Sequence, residues 1–146
     1  MQAVDVRLLA PLEHLVGGEE VERVRALVAV RAWVWAVQLL GGDEPAALGT
    51  VCRLVSALYP GTSPFQPPVH WWSTPVGRVV AHRFGHPFAT SVSYPVAGAM
   101  LGVTRQAVHD LVARGKLARH PDGGVRPESV RDRLRGPTSP RGTADA

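Results

Sequence analysis

The spacing of apolar residues along the chain predicts a mainly α-helical protein. Apolar residues recur at intervals of three and four in residues 5–16 and 19–40, which Gly17-Gly18 separates, and again between Asp43 and Tyr59. Pro11 limits or interrupts the first of these helices. Residues 30–40 are apolar nearly all round, so this half of the second helix must be covered on more than one side. The first half of the chain is predicted to be a helical bundle.

A proline-rich stretch and a short basic helix follow. Residues 59–68 contain four prolines and predict a loop or linker with polyproline II geometry. Thr74 and Pro75 then form a helix start signal, and Gly85 ends that helix. Its polar side carries Arg78, His82 and Arg83. This side either contacts phosphate or pairs with the acidic N-terminal half.

The last third of the chain predicts two short helices joined by a tight turn. Pro95 suits the first turn of a helix and Gly102 suits its end. Thr104 is placed to cap a second helix, residues 104–114, which Gly115 stops. Val108 and its apolar neighbours face inward there, and the polar residues face outward. This arrangement is typical of a helix-turn-helix, whose second helix enters the DNA major groove.

The residues that follow predict a β-hairpin and a closing helix. Residues 117–120 and 125–126 flank Pro121-Asp-Gly-Gly124, which is strong turn chemistry for a hairpin. Residues 127–135 then form a short helix with Val130 and Leu134 on its buried side. A helix-turn-helix followed by a small hairpin is a winged helix. The expected fold is therefore an N-terminal helical bundle followed by a winged helix-turn-helix with a β-hairpin wing.

Residues 90–136 resemble the MerR-like and excisionase-like DNA-binding domains, including the small BldC-type regulators. The matching residues are Ala97 and Ala99 before Leu101-Gly-Val-Thr104, Val108 and Leu111 in the second helix, Arg114-Gly-Lys-Leu117, and Gly124-Val125 leading to Ser129-Val130. A departure is Gly98, where such domains carry a better helix former. The resemblance implies double-stranded DNA as partner and says nothing about the first ninety residues.

The candidate DNA-contacting residues fall into two groups. Base edges are assigned to Arg105, Gln106 and His109, because Arg can grip guanine and Gln can grip adenine bidentately. For Arg105, contact with a phosphate is an equal alternative to base recognition. For Tyr94, structural packing is an equal alternative to contact with the DNA backbone. The residues assigned to the DNA backbone or the wing are Ser93, Tyr94, Thr104, Arg114, Lys116, Arg119, His120 and Arg126.

Charge is segregated along the chain. Residues 1–77 contain five Arg and seven acids (net −2), whereas residues 78–146 contain eleven Arg or Lys and five acids (net +6). A basic half joined to an acidic half indicates that one part meets a polyanion. The most apolar run, residues 27–40, is shorter than the ~20 residues that span a bilayer, and no signal peptide is evident. We expect a cytoplasmic bacterial protein associated with the nucleoid and no membrane partner.

No catalytic, cofactor or metal site is expected. The one cysteine, Cys52, excludes an internal disulfide and a Cys-rich zinc site. His82 and His86 have the spacing of two helical metal ligands, but Gly85 and Pro87 interrupt the helix that would present them. The four Trp residues favour core or dimer contacts over a pocket, because they carry large buried areas. A small-molecule effector stays an alternative that nothing else indicates, and the chain is not expected to be an enzyme.

The sequence predicts four segments: a helical dimerisation or effector domain with a proline-rich linker (1–68), a connecting basic helix (69–89), a winged helix-turn-helix (90–136) and a disordered tail (137–146). The function expected first is a sequence-specific transcription regulator. The alternatives are an excisionase-like factor that bends DNA for recombination or plasmid maintenance, and an adaptor whose helix-turn-helix contacts protein. A homodimer or oligomer is expected on DNA, on either inverted or direct repeats, because one small module offers a small footprint.

Overall fold

The computed structural model describes residues 2–61 and 65–136. The chain divides into two compact units, Met1–Pro67 and Pro68–Ala146, so the predicted connecting helix belongs to the same unit as the helix-turn-helix. The predicted disordered tail, residues 137–146, lies outside the described residues. Most of the described residues are helical, which confirms the mainly α-helical prediction.

The first unit consists of helices that follow one another with short breaks. Its elements are α1 (Gln2–Val4), a π-helical stretch (Asp5–Leu9), α2 (Ala10–Val16), α3 (Gly18–Leu40) and α4 (Glu44–Leu58). The wider π-helical turns directly precede Pro11, whose missing N–H cannot continue the ordinary ladder. The chain therefore widens locally at this proline and does not break. No helix among residues 2–61 and 65–136 is long and apolar enough to cross a bilayer.

The core of the first unit lies where α3 packs against α4 and the π-helical stretch. Its buried apolar residues include Leu9, Val21, Leu39, Ala47, Val51 and Val55. Gln38, the polar residue within the apolar run of α3, accepts a hydrogen bond of 2.6 Å from the hydroxyl of the buried Thr50 on α4. This bond satisfies the buried Thr50 hydroxyl and the Gln38 side-chain carbonyl, which would otherwise be costly to bury.

Within its described residues, the second unit contains a 3-10 helix and four α-helices. These are the 3-10 helix (Val69–Ser73), α5 (Pro75–Phe84), α6 (Tyr94–Leu101), α7 (Arg105–Ala113) and α8 (Pro127–Arg135). A side-chain oxygen caps the start of three of them, because Thr74, Ser93 and Thr104 accept from backbone N–H groups three residues later. The predicted helix starts at Thr74 and Thr104 are confirmed.

Two tryptophans anchor the core of this unit. Trp71 and Trp72 are buried, with their rings edge to face and 5.0 Å apart. α5 packs tightly on the 3-10 helix at Gly77, where a Cβ would overlap the Trp71 carbonyl oxygen. α6 packs against the 3-10 helix, α7 and α8. This scaffold holds α7 on its outer side.

The predicted β-hairpin wing is wrong, and so is the winged-helix fold class. The part of the chain that the structure describes contains no β-strand, and Val125 forms only isolated antiparallel bridges, one with Val92 and one with Arg119. The Val92 and Val125 backbones exchange two hydrogen bonds of 2.9 Å. The Ala118 N–H instead donates to the Ser129 hydroxyl at 2.8 Å. The pairing of the two predicted strands is limited to the single Arg119–Val125 bridge, because the Ala118 N–H is bonded to α8 and cannot extend the ladder.

The turn chemistry of this segment still closes a tight loop, residues 118–126. The His120 N–H donates to the Gly124 carbonyl at 3.1 Å, and the Arg126 N–H donates to the Ala118 carbonyl at 2.9 Å. Gly124 has φ +76° and lies so close to Val92 that a Cβ would overlap the Val92 carbonyl oxygen. Loop 118–126 therefore folds back onto the segment before α6 and does not project as a wing.

Candidate nucleic-acid interface

The turn between α6 and α7 sets the relative position of the two helices. α6 ends at Gly102, which takes the left-handed conformation with φ 71° and ψ 32° that suits glycine. The Val103 N–H then donates to the Gly98 carbonyl at 2.9 Å. A Cβ at Gly98 would lie only 2.8 Å from the Val103 carbonyl oxygen. Gly98, which departs from the family pattern, is therefore the residue that lets the turn pass close to α6.

α7 is fixed by its buried side and by its end. Val108 is fully buried, and Leu111 and Val112 are half-buried beside it. At the C-terminus the Gly115 N–H donates to the Val112 carbonyl at 3.0 Å and the Lys116 N–H donates to the Leu111 carbonyl at 2.8 Å. This pair of bonds is a Schellman motif. It ends the helix at the position that Gly115 predicts from the sequence.

The three candidate base readers lie together on the exposed side of α7. Arg105, Gln106 and His109 are all exposed, and at 100° per residue they span a sector of roughly 100°. The Gln106 side-chain amide donates to the Asp110 carboxylate at 3.2 Å. The His109 ring stands edge to face against Tyr94, with centroids 5.8 Å apart and planes at 79°. Two of the three side chains are thus held in place by a neighbour.

These contacts leave the hydrogen-bonding groups needed for base recognition. A side-chain amide has two N–H donors and a carbonyl acceptor, and Asp110 uses only one donor of Gln106. The second N–H and the carbonyl can still pair with N7 and N6 of adenine. Tyr94 is half-buried and its ring supports His109. This contact agrees with the structural packing role that is the alternative for Tyr94.

The hydroxyls of Ser93 and Thr104 lie at the starts of α6 and α7. Each accepts a backbone N–H, from Val96 at 3.4 Å and from Ala107 at 3.1 Å. A hydroxyl has one donor and two lone pairs, so capping leaves the O–H free to donate. A phosphate placed at these helix starts would meet an O–H donor and the positive end of a helix dipole.

The candidate basic residues after α7 differ in their exposure and in their contacts with neighbouring groups. Arg114, Lys116, Arg119 and Arg126 are exposed. The His120 side chain is only 14% exposed, and its Nδ1 accepts the Asp122 N–H at 3.2 Å. His120 therefore holds loop 118–126 together, while the four Arg and Lys side chains extend into solvent.

Two further basic residues serve the fold. The Arg135 guanidinium on α8 donates to the His82 carbonyl at 3.0 Å and to the Arg83 carbonyl at 2.6 Å. These carbonyls end α5, so Arg135 caps that helix from a distant part of the chain. Arg131 pairs with its neighbour Asp132 at 3.2 Å. The sequence shows the charges of these residues but not their partners.

The half-buried His86 stabilises the turn after α5, a role that its spacing from His82 does not predict. His86 Nδ1 accepts the N–H of Ala89 at 2.9 Å and of Phe88 at 3.3 Å, and its ring lies 5.2 Å from that of Trp72. Burial lowers the pKa of His86 from 6.5 to about 4. Among the described residues no three His, Cys, Asp or Glu side chains are grouped to hold a metal ion. His86 is thus a neutral turn-forming residue and has no nearby ligand set.

Comparisons with known proteins assign no family to the chain. No family description, curated protein or solved structure matches it. The helix-turn-helix geometry and the exposed side of α7 are the features from which a function can be argued.

Proposed function

We propose that the protein is a sequence-specific double-stranded DNA-binding transcription regulator in which α7 enters the major groove. One observation carries this proposal. α6 and α7 are joined by a tight turn through Gly102 and Thr104, and α7 presents Arg105, Gln106 and His109 together on its exposed side. A short helix held in this way is the element with which helix-turn-helix proteins read base edges.

Base recognition in this proposal depends on side chains near the start of α7. Arg105 pairs with guanine O6 and N7, and Gln106 pairs with adenine N6 and N7. Asp110 orients the Gln106 amide and Tyr94 supports the His109 ring. Holding these side chains before binding reduces the entropy lost when they engage a base.

Backbone contacts position the protein without reading sequence. The Ser93 and Thr104 hydroxyls can donate to phosphates at the helix starts, while Arg114, Lys116 and Arg119 supply positive charge beside α7. Because residues 117–126 do not form a wing, Arg119 and Arg126 reach the backbone from loop 118–126. The net charge of +6 in residues 78–146 supports a polyanionic partner.

The proposal includes two or more copies on DNA. One helix-turn-helix of this size covers few base pairs, so specific binding requires a second copy on an adjacent half-site. A protein with this role would act in the cytoplasm of a bacterium, on nucleoid DNA. The DNA-bending factor and the protein adaptor are the alternatives that the experiment below separates.

Fluorescence anisotropy on duplex DNA tests the proposal. The wild-type chain is titrated across a salt series with duplexes selected from a random pool and with unselected duplexes. We expect a steep loss of affinity with salt and a preference for the selected duplexes. Arg105→Ala should reduce that preference by roughly 10- to 100-fold. Arg119→Ala should weaken all duplexes alike and lower the salt slope by about one.

Arg53→Ala is the matched control, because it removes one exposed Arg from α4 in the other unit. It should leave both preference and salt slope unchanged. Absence of binding to any duplex at low salt would refute the proposal and favour the adaptor. Strong bending of a bound site with little sequence preference would favour the architectural factor.

A further inference from the structure

The outer side of α3 presents a continuous apolar face to solvent. Its members recur at helical spacing over four turns, and all are exposed: Leu27, Val30, Trp33, Val34, Val37 and Leu40. Trp33 is 73% exposed, Leu40 is 70% exposed and Leu27 is 68% exposed. We call these six residues the outer face of α3. Monomeric proteins seldom expose large apolar side chains in a contiguous row, so we expect a partner to cover this face.

The core of the unit already occupies the opposite side of the helix. Val21 and Leu39 are buried there and Trp35 is half-buried. At 100° per residue these three residues point roughly 180° away from the centre of the outer face. The apolar residues that surround this part of the helix therefore form two separate faces. Helix α4 and the π-helical stretch pack on one, and the second is left uncovered within the described residues.

The size of the outer face fits one half of a protein interface. Its six side chains leave on the order of 600 Å² of apolar surface in water. That area is at the upper end of the largest patch on an ordinary monomer, about 300–600 Å². A standard interface buries about 800 Å² on each partner, of which about two-thirds is apolar in homodimers. The exposed area is therefore enough for a stable dimer.

The pattern of the outer face is complementary to itself. When residue i of one helix faces residue 67 − i of another, Leu27 meets Leu40, Val30 meets Val37 and Trp33 meets Val34. Every member of the face then contacts another member, and no charged residue lies within the face. An antiparallel pair about a two-fold axis produces this correspondence, because an isologous interface uses the same patch on both copies.

We propose that the outer face of α3 binds the outer face of a second copy of this chain, with the two helices antiparallel. The contact extends from Leu27 to Leu40, about 20 Å along the helix. Arg31 is the one charged residue between positions 26 and 40. Helices that lie on lipid surfaces carry several Lys or Arg beside the apolar face, and α3 lacks them over this length. Two copies can pair in this way without DNA.

Sedimentation velocity of the full chain without DNA tests this interface. Between 1 and 100 µM the wild-type chain should reach a mass about twice its monomer mass of 15.6 kDa. Val37→Glu should give a monomer over the same range, because it places an unpaired charge within the buried interface. Val37 is 52% exposed in the single chain, so the substitution leaves the fold intact, which circular dichroism checks. Ser56→Glu, at an exposed position on α4, is the control and should stay dimeric.

A mixing experiment tests the antiparallel register. Val30→Lys alone should also be monomeric, whereas an equimolar mixture of Val30→Lys and Val37→Glu chains should regain the dimer mass, because residues 30 and 37 face each other. A mixture that stays monomeric would overturn the register. A wild-type monomer at 100 µM, or a Val37→Glu chain that remains dimeric, would overturn the interface. Wild-type monomer that sediments with lipid vesicles would assign the face to a membrane surface instead.

Discussion

The turn after α6 passes very close to Gly98. The sign of the stability change on replacing this glycine by alanine can therefore be predicted. Gly98 lies within α6, where replacing glycine by alanine ordinarily stabilises a helix by about 1 kcal/mol. A Cβ at this position would lie 2.8 Å from the Val103 carbonyl oxygen, and Val103 is itself tied to Gly98 by a hydrogen bond of 2.9 Å. The side chain cannot be accommodated unless the backbone of the turn moves.

The cost of that movement exceeds the helical gain. Overpacking in a well-packed region costs about 1–3 kcal/mol. Displacing Val103 also lengthens its hydrogen bond to Gly98, which is worth about 1 kcal/mol. After the helical gain is subtracted, Gly98→Ala should destabilise the second unit by roughly 1–3 kcal/mol. For a unit of this size the melting temperature should fall by roughly 4–24 °C.

Scanning calorimetry of the full chain measures this change. Gly49→Ala is the matched control, because Gly49 lies exposed in α4 and a Cβ there would meet no atom within 4 Å. That substitution should stabilise its own unit by up to about 1 kcal/mol. A Gly98→Ala chain that melts at or above the wild-type temperature would refute the argument from the turn.

Three further predictions concern single residues. His86 binds a proton at about pH 4 when folded and near 6.5 when unfolded, so the unfolded state takes up more protons in that window. Stability should therefore fall on acidification from pH 7 to pH 4, by on the order of 2 kcal/mol after allowance for partial exposure. His86→Asn keeps an acceptor but cannot titrate, and urea midpoints that vary with pH as steeply as in wild type would contradict this account. Thr104→Ala should cost about 1 kcal/mol by removing the cap on Ala107, whereas Thr104→Ser should cost little; equal losses in urea unfolding would argue against the cap. Gly124→Ala should cost more than about 2 kcal/mol, because it combines a positive φ with overlap on Val92, and Gly123→Ala, which meets no neighbour, should cost less in the same assay.

The helices and their ends follow from local sequence signals. Thr74 and Thr104 cap helices through hydrogen bonds to groups three residues away, and Gly115 ends α7 within one turn. Such signals act over a few residues, so they can be recognised without knowledge of the fold. The outward direction of Arg105 and His109 follows in the same way, because Val108 defines the buried side of α7. The candidate interface was therefore largely predictable in its composition.

The prediction of a wing was wrong because the decisive partners lie far apart in sequence. Pro121-Asp-Gly-Gly124 does form a turn, but Val125 pairs with Val92 as well as Arg119, and Ser129 takes the Ala118 N–H. Turn chemistry favours a reversal of the chain and does not decide what lies beside it. The cap that Arg135 provides for α5 was missed for the same reason.

α3 shows how far a hydrophobic pattern can be interpreted. The all-round apolar run predicts cover on more than one side, and α4 and the π-helical stretch supply that cover on the side of Val21 and Leu39. Only the structure distinguishes this side from the one that carries Trp33. The periodicity is the same for both faces, so sequence alone cannot tell which is internal.

The reciprocal backbone pair of Val92 and Val125 has a consequence for motion. These two hydrogen bonds of 2.9 Å close a ring of main chain that contains α6, the turn, α7 and most of loop 118–126. Both side chains are buried, so the ring cannot open without exposing the core. Hydrogen exchange at these two amides should therefore require unfolding of the whole unit. Whatever α7 contacts, it should move with α6 as a single body.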